Sequence, residues 1–273
     1  MTMPIDLVLV RHGYSEGNSA NQRSRSGDDR AFTSEFLNRH SSQWRLTDRG
    51  RQQAEQAGIW IRENLAQLLP FDHCYTSEYV RAMETAALLG LPLPPKGWFT
   101  DLNLRERDWG EQDVMTMTER MERYGENYAK RDVDRLYWKP VNGESIAEVC
   151  LRLYRVLDTL HRDCSDGRVL IVCHGDIIRS FRLMLERMSQ DEFHSMSTST
   201  NPHDRTHNCS IFHYTRRDPN TGHLDPYYKW LRHVCPWDQT LSPNIWQPID
   251  RKTYSNAELL ARAEAVPRLV NAS

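Results

Sequence analysis

What this 273-residue chain lacks narrows its class before any motif is read. It has no apolar run near the roughly 18 residues that a membrane-spanning helix needs. Its first residues, Met1 to Arg11, have no basic stretch ahead of an apolar one, so no secretory signal is expected there. It has no excess of positive charge: 35 Lys and Arg stand against 37 Asp and Glu, for a net charge of −2. A general nucleic-acid binder is clearly basic, so that class is disfavoured. The six cysteines are scattered without a Cys-x-x-Cys pair, which fits unpaired thiols in a reducing, cytoplasmic setting better than a disulfide framework. Lysine is also scarce. Only Lys96, Lys130, Lys139, Lys229 and Lys252 occur, and arginine supplies the remaining basic residues. Where a phosphate must be gripped by two parallel hydrogen bonds, that difference matters.

The hydropathy pattern that is present alternates between strands and helices. Ile5 to Val10 and Arg168 to Cys173 are short β-branched apolar runs of the kind found in buried strands. Phe71 to Thr76, Phe99 to Leu104, Asn208 to Tyr214 and Tyr227 to His233 are further strand candidates, the last two read as late and antiparallel. Helical spacing is seen from Thr47 to Leu69, Glu78 to Leu89, Glu144 to His161 and Asp176 to Arg187, with another helix at Asn256 to Ala265. Residues 14–45 read as an exposed polar loop with a short helix near Phe32 to Asn38, and residues 109–140 as helical excursions over one edge of the sheet. This alternation predicts a single α/β domain with a mainly parallel central sheet. It would span residues 1–273, with rim insertions near 19–45 and 109–140 and a divergent extension from about 217.

Two of the buried strands end alike. One runs into Arg11-His12-Gly13 and the other into His174-Gly175. The carboxyl ends of parallel strands converge on a shared crevice, so the two histidines are expected to face one another. Either His-Gly alone is more often a turn; together, with an arginine ahead of one, they mark a site.

With Ser15 and Asn18, the Arg11-His12-Gly13 segment resembles the opening motif of the histidine phosphatase superfamily, whose fold is the three-layer α/β/α architecture called phosphoglycerate-mutase-like. Further segments match in the same order: Leu46-Thr47 with Gly50, Ser77 with Arg81-Ala82, Leu104-Arg105-Glu106, Gly143-Glu144-Ser145 with Arg152, and His174-Gly175. The resemblance covers roughly residues 5 to 180. It implies His12 as the nucleophile toward phosphorus, Arg11 and Arg81 as grips on the phosphoryl oxygens, and His174 as a donor that stabilises the transition state. Glu106 becomes the proton donor, with Asp108 as runner-up. Ser15, Asn18 and the Gly175 amide would orient the phosphate or the substrate's hydroxyls. Glu144 and Ser145 read as structural, orienting Arg11 or His174. Tyr14 departs from the glutamate often found after this motif.

No cofactor and no metal is implied. His203 and His207 have zinc-like spacing, but they lie in a Pro- and Asn-rich loop without a third ligand. The arginines of the two rim segments, Arg23, Arg25, Arg30, Arg131 and Arg135 among them, point to a multiply anionic substrate, with Tyr137 and Trp138 as candidates for ring stacking. The expected activity is a metal-independent phosphomonoesterase, acting through a phosphohistidine on a small-molecule phosphate ester or a phosphoprotein. The alternatives are a phosphoglycerate-type phosphomutase and a catalytically weak phosphate-binding or scaffolding protein. Mutases of this resemblance carry a glycine-leucine-asparagine-lysine segment after the acid loop and later two adjacent arginines. Here Gly110 is followed by Glu111-Gln112-Asp113, and Arg120 and Arg123 are not adjacent. No nucleic-acid partner and no membrane span are expected, and a homodimer is compatible with this reading.

Overall fold

The computed structural model describes residues 2–270. In chain order its elements are β1 (Asp6–Arg11), α1 (Glu16–Arg25), α2 (Ser34–Asn38), α3 (Asp48–Asn64), β2 (His73–Thr76), α4 (Val80–Leu88), β3 (Trp98–Thr100), α5 (Met117–Val133), α6 (Ile146–Asp163), β4 (Arg168–Cys173), α7 (Gly175–Leu185), α8 (Gln190–Thr198), β5 (Ile211–Thr215), β6 (Trp230–Val234), β7 (Trp246–Pro248) and α9 (Asn256–Glu264). One seven-stranded sheet runs β3-β2-β4-β1-β5-β6-β7. The first four strands in that order are parallel, and β5, β6 and β7 are antiparallel additions.

The strands are apolar on both faces because helices cover both. Leu7, Leu9, Val169 and Ile171 pack against Val149, Leu153 and Val156 of α6 and Ile178 and Phe181 of α7. Their neighbours in the pleat, Val8, Val10, Leu170 and Val172, pack against Ala54, Ala57 and Ile61 of α3 and Ala82 and Ala86 of α4. This is the three-layer arrangement expected of near-continuous hydrophobic strands in a parallel sheet. A buried Leu, Ile or Val side chain contributes about 1.5–3 kcal/mol, so the register of these strands is held firmly.

Two expectations need correction. Residues 14–45 hold the short helix expected near Phe32 to Asn38, as α2, but the rest is not all loop, since α1 occupies Glu16–Arg25. Its buried residues are Gly17, Ala20 and Ser24, too small and polar to show an apolar stripe. A capping box supports it instead: the Ser15 hydroxyl accepts from the Asn18 amide while the Asn18 side chain accepts from the Ser15 amide. The third strand is also shorter than expected, and Leu102–Leu104 turn into a 3-10 helix. Beyond the expected elements, β7 extends the antiparallel edge, pairing Trp246 with Arg232. No helix among the described residues is long and apolar enough to cross a membrane.

Candidate active site

Strand register builds the floor of the site. Arg11 pairs with Cys173 across the parallel β1–β4 ladder, so the next residues, His12 and His174, emerge side by side. Their rings are 5.1 Å apart. Antiparallel β5 returns alongside β1, which brings the residues preceding it to the same end. Asn208 Nδ2 donates to the His12 carbonyl at 3.0 Å and to Asn18 Oδ1 at 3.1 Å. The end of β2 adds Ser77, and α4, which follows, adds Arg81.

Both histidines are buried, and the tautomer of His12 is fixed by its hydrogen bond. His12 Nδ1 donates to the Gly13 carbonyl at 2.7 Å, which leaves the Nε2 lone pair toward the cleft. Arg81 Nε donates to that Nε2 at 3.3 Å. Ser77 Oγ accepts from the Tyr79 amide at 3.3 Å and shares a hydrogen bond with His174 Nε2 at 2.8 Å. His174 Nδ1 has no partner although buried. When the Ser77 hydroxyl donates to Nε2, Nδ1 carries the ring's proton and is a donor suited to a phosphoryl oxygen. Burial, followed by the charges of Arg81 and Arg11, holds His12 well below its ordinary value; burial and Arg81 do the same for His174. Both are neutral at pH 7.

Arg11 and Arg81 supply positive charge at the same spot. Burial lowers Arg11 to about 10, still protonated at neutral pH. Its Nη1 is held by the Thr206 carbonyl at 2.6 Å, and its Nε is unpartnered. Arg81 Nη1 donates to the Ser41 carbonyl at 2.6 Å. A Cβ at Gly175 would lie 3.3 Å from Arg11 Nε, so glycine there lets the guanidinium pass close over the start of α7.

Glu106 is brought to the histidines from the segment after β3. Its carboxylate and one nitrogen from each of His12 and His174 lie within 4.8 Å of one another. Burial, with the charge of Asp176 adding to it, raises its pKa, and Arg81 pulls in the opposite direction. Two imidazoles and a carboxylate are a possible cation set. With one imidazole already accepting from a guanidinium, and Arg11 beside them, this centre suits an anion.

Glu144 does not orient Arg11 or His174. It is the keystone of the acid loop: Arg152 donates to both its oxygens at 2.9 Å, and Arg105 and the Asp108 amide donate at 3.1 and 3.0 Å. Ser145 caps α6. Arg107, buried between Trp109 and Trp138, ties the loop to the Glu144 and Trp138 carbonyls. The Asp108 side chain accepts from the Gly110 amide and is exposed, so it stands apart from the histidines. Ser15 is engaged in its cap, with its hydroxyl 3.2 Å from Asn18 Oδ1. Asn18 Oδ1 therefore receives the Ser15 amide and the Asn208 amide group, which leaves the Asn18 NH2 for a ligand.

The cleft above these groups measures about 720 Å³. Arg25 and Arg131 of the expected rim line it, but Arg23 and Arg30 do not, because both clamp Asp28. Arg135 pairs with Asp132 beside the cleft. Trp138 is buried behind the rim as packing, and Tyr137 is exposed. His203 and His207 each face a backbone carbonyl, of Thr240 and Pro202, and belong to no group of three metal-ligating side chains among the described residues. Sequence reasoning missed Asp176, Arg179 and Asp113, all of which line the cleft. Burial raises the Asp113 carboxyl. For Asp176 burial is outweighed by Arg179, Arg107 and Arg131, which hold it low. An acid one residue after His174-Gly175, at a helix start, was the available signal.

A family model, the histidine phosphatase superfamily (branch 1), matches residues 7–220. The 2,3-bisphosphoglycerate-dependent phosphoglycerate mutase of Bradyrhizobium diazoefficiens is 32% identical over 198 residues, covering 68% of this chain and 83% of that one. Among solved structures, a putative alpha-ribazole-5'-P phosphatase from Escherichia coli superposes with a TM-score of 0.58 at 20% identity, over 82% of this chain and 96% of that one. A mycobacterial glucosyl-3-phosphoglycerate phosphatase solved with inorganic phosphate gives 0.54 at 21%, over 77% and 89%. These structural likenesses speak to the fold.

Proposed function

We propose that this chain, which belongs to the histidine phosphatase superfamily, is a metal-independent phosphomonoesterase acting on a multiply anionic phosphate ester through a phosphohistidine intermediate. The observation that carries the reading is the pairing of the two histidines. His12 offers a lone pair at Nε2, and His174, with Nδ1 buried and unpartnered, lies 5.1 Å from it, beside two guanidiniums and a carboxyl held toward its neutral form.

The substrate's phosphoryl group enters between Arg11 and Arg81, and Arg81 turns its donors from His12 Nε2 to the phosphoryl oxygens. His12 Nε2 attacks phosphorus, and the P–O bond to the alcohol breaks with its electron pair leaving on oxygen. The proton of Glu106 goes to that oxygen. His174 Nδ1–H, Arg11 and Arg81 stabilise the charge on the equatorial oxygens. In the second step Glu106, now ionised, takes a proton from water as its oxygen attacks phosphorus. The N–P bond breaks, and His12 recovers its lone pair.

The second reading, a phosphoglycerate-type mutase, draws on the named mutases at about a third identity. Against it stand Glu111-Gln112-Asp113 where the mutase segment is expected, with Asp113 placed in the cleft wall. Incubation with a generic aryl phosphate, then with mono- and bisphosphoglycerate, separates the readings. Release of inorganic phosphate without positional exchange supports the hydrolase. Exchange faster than release overturns it, and turnover of none of them favours the scaffold. EDTA should leave hydrolysis unchanged; loss restored by zinc would overturn the metal-free mechanism.

A further inference from the structure

Arg11 and Arg81 are sufficient to match the two charges of one phosphoryl group. The cleft nevertheless continues into a second lobe of about 590 Å³, and the two lobes share Arg11, Arg25, Arg179, Ser197, Arg205 and Thr206. Arg179 pairs with Asp176 at 2.9 Å, and Asp176 is the carboxylate that acts on Glu106. Arg179 lines both lobes, and Glu106 and Asp176 line the first, so the second lobe adjoins the cleft that holds the proposed acid.

Its lining is built for an anion. Arg11, Ser197 and Thr206 line the junction, and each has a buried polar atom without a partner, Nε of the arginine and the two hydroxyls. Thr206 is 4% exposed. Arg49 lies between two aromatic rings, 5.2 Å from the centre of Tyr14 and 5.4 Å from that of Trp237. Stacking holds a guanidinium in place while leaving its N–H edge for a ligand. One carboxylate, Asp204, lines this lobe, where it accepts from the Ser199 hydroxyl at 2.6 Å, and six arginines line it with Asp204, among them Arg25, Arg49 and Arg205. Trp237 comes from beyond residue 220, outside the segment that matches the family model. Its Nε1 donates to the Asn208 carbonyl at 2.6 Å, which seats this wall against the residue holding the His12 carbonyl.

We propose that this second lobe is an anion subsite, made by Arg49, Arg205, Arg25, Ser197 and Thr206 and backed by Trp237, which takes a further phosphate carried on the alcohol portion of the substrate. The substrate class is then a small bisphosphorylated molecule, and the C-terminal segment takes part in selecting it. For turnover this rests on the phosphomonoesterase reading; for binding it stands without it.

The test uses monophosphates and bisphosphates of linear diols of two to five carbons. For at least one length the bisphosphate is expected to have a kcat/KM on the order of 100-fold above its monophosphate. One charge-assisted hydrogen bond accounts for roughly 10-fold or more of such a ratio. Arg49→Gln and Arg205→Gln, both at exposed positions where folding is not at risk, should each reduce the ratio about 10-fold. A wild-type ratio below about 3 at every length, or a ratio that neither substitution changes, overturns the subsite. Calorimetry with the matching non-hydrolysable alkyl mono- and diphosphonates reads the subsite without turnover. Tighter diphosphonate binding that Arg49→Gln and Arg205→Gln abolish supports it even if no ester is cleaved, an outcome that would defeat the hydrolase reading alone. Equal binding of the two phosphonates overturns the subsite.

Discussion

The floor and the wall of the cleft are held by different physics. The floor is the meeting of β1 and β4, where Val8, Val10, Leu170 and Val172 are fully buried, and the positions of His12 and His174 follow from ladder register. The wall is α1, the acid loop and α5, whose apolar content is slight. It is held by capping boxes at Ser15 and Thr116, by Arg120 donating to Asn21 at 2.8 Å, and by Glu144 with its four donors. A one-residue slip in the floor would turn every side chain to the other face, so the floor is all-or-none. The wall can loosen by degrees. The proposed nucleophile therefore belongs to the rigid part, and the proposed proton donor and substrate contacts to the adjustable part.

The sharpest break in that contrast is His12→Ala. It should lower turnover by at least about 10⁴-fold, on the scale of removing a covalent nucleophile. Acid-labile, alkali-stable phosphate labelling should vanish with it. Persistent labelling in the variant would place the nucleophile elsewhere.

Glu106→Gln comes next and acts on the wall. An alkyl alkoxide needs a proton at the moment of P–O cleavage, and nitrophenolate needs far less help. Loss should be about 10²–10⁴-fold for an alkyl phosphate and much smaller for an aryl one. The pH profile gives the sign. Burial raises the Glu106 pKa, so the acid form persists above the ordinary carboxylate range and the rate falls as pH rises through the raised value. Glu106→Gln should remove that descending limb, and Asp108→Asn should leave it in place. The reverse result would move the donor by two residues.

Glu144→Gln should act at a distance. It weakens the ion pairs with Arg152 and Arg105 without touching the histidines, so alkyl phosphate turnover should fall about 10-fold through Glu106 misplacement, and stability by about 1–3 kcal/mol. The descending pH limb should shift rather than disappear, which an effect on stability alone would not produce.

The sequence was informative where burial dictated it. Two β-branched runs ending in His-Gly were enough to bring His12 and His174 together, because parallel strands packed on both faces must be apolar throughout. The wall was opaque for the opposite reason. Gly17, Ala20 and Ser24 are the buried face of α1, and none of them registers on a hydropathy scale. Arginine count was also a poor guide: Arg23 and Arg30 look like rim residues but hold Asp28, whereas Arg179 lies within a helix and reaches the cleft. All three pair with an acid close in sequence, Asp28 or Asp176, so what separates them is where the backbone carries each pair, and that the sequence does not show. Glu106 and Asp108 differ in the same way: two acids two residues apart, one carried into the site and one capping a turn, with only the resemblance to the family to choose between them.

Ser15 gives the smallest effect and the finest test of where floor ends and wall begins. Its hydroxyl closes the capping box of α1, and its amide donates to Asn18 Oδ1 at 3.2 Å. If capping is its whole role, Ser15→Ala should cost about 0.5–2 kcal/mol of stability, the usual range for an N-cap. In a chain of this size each kcal/mol lowers Tm by about 2–4 °C. Asn18 would remain tied through Asn208, which holds both it and the His12 carbonyl, so KM for an aryl phosphate should change less than about 3-fold. The phosphate-binding role expected from sequence makes the opposite forecast, a KM rise of 10-fold or more with Tm unchanged, since a hydroxyl that contacts a dianion forms a charge-assisted bond. Thermal melts and initial rates on the same preparation decide between them. A fallen Tm with a steady KM assigns Ser15 to the wall, and a steady Tm with a raised KM returns it to the phosphate.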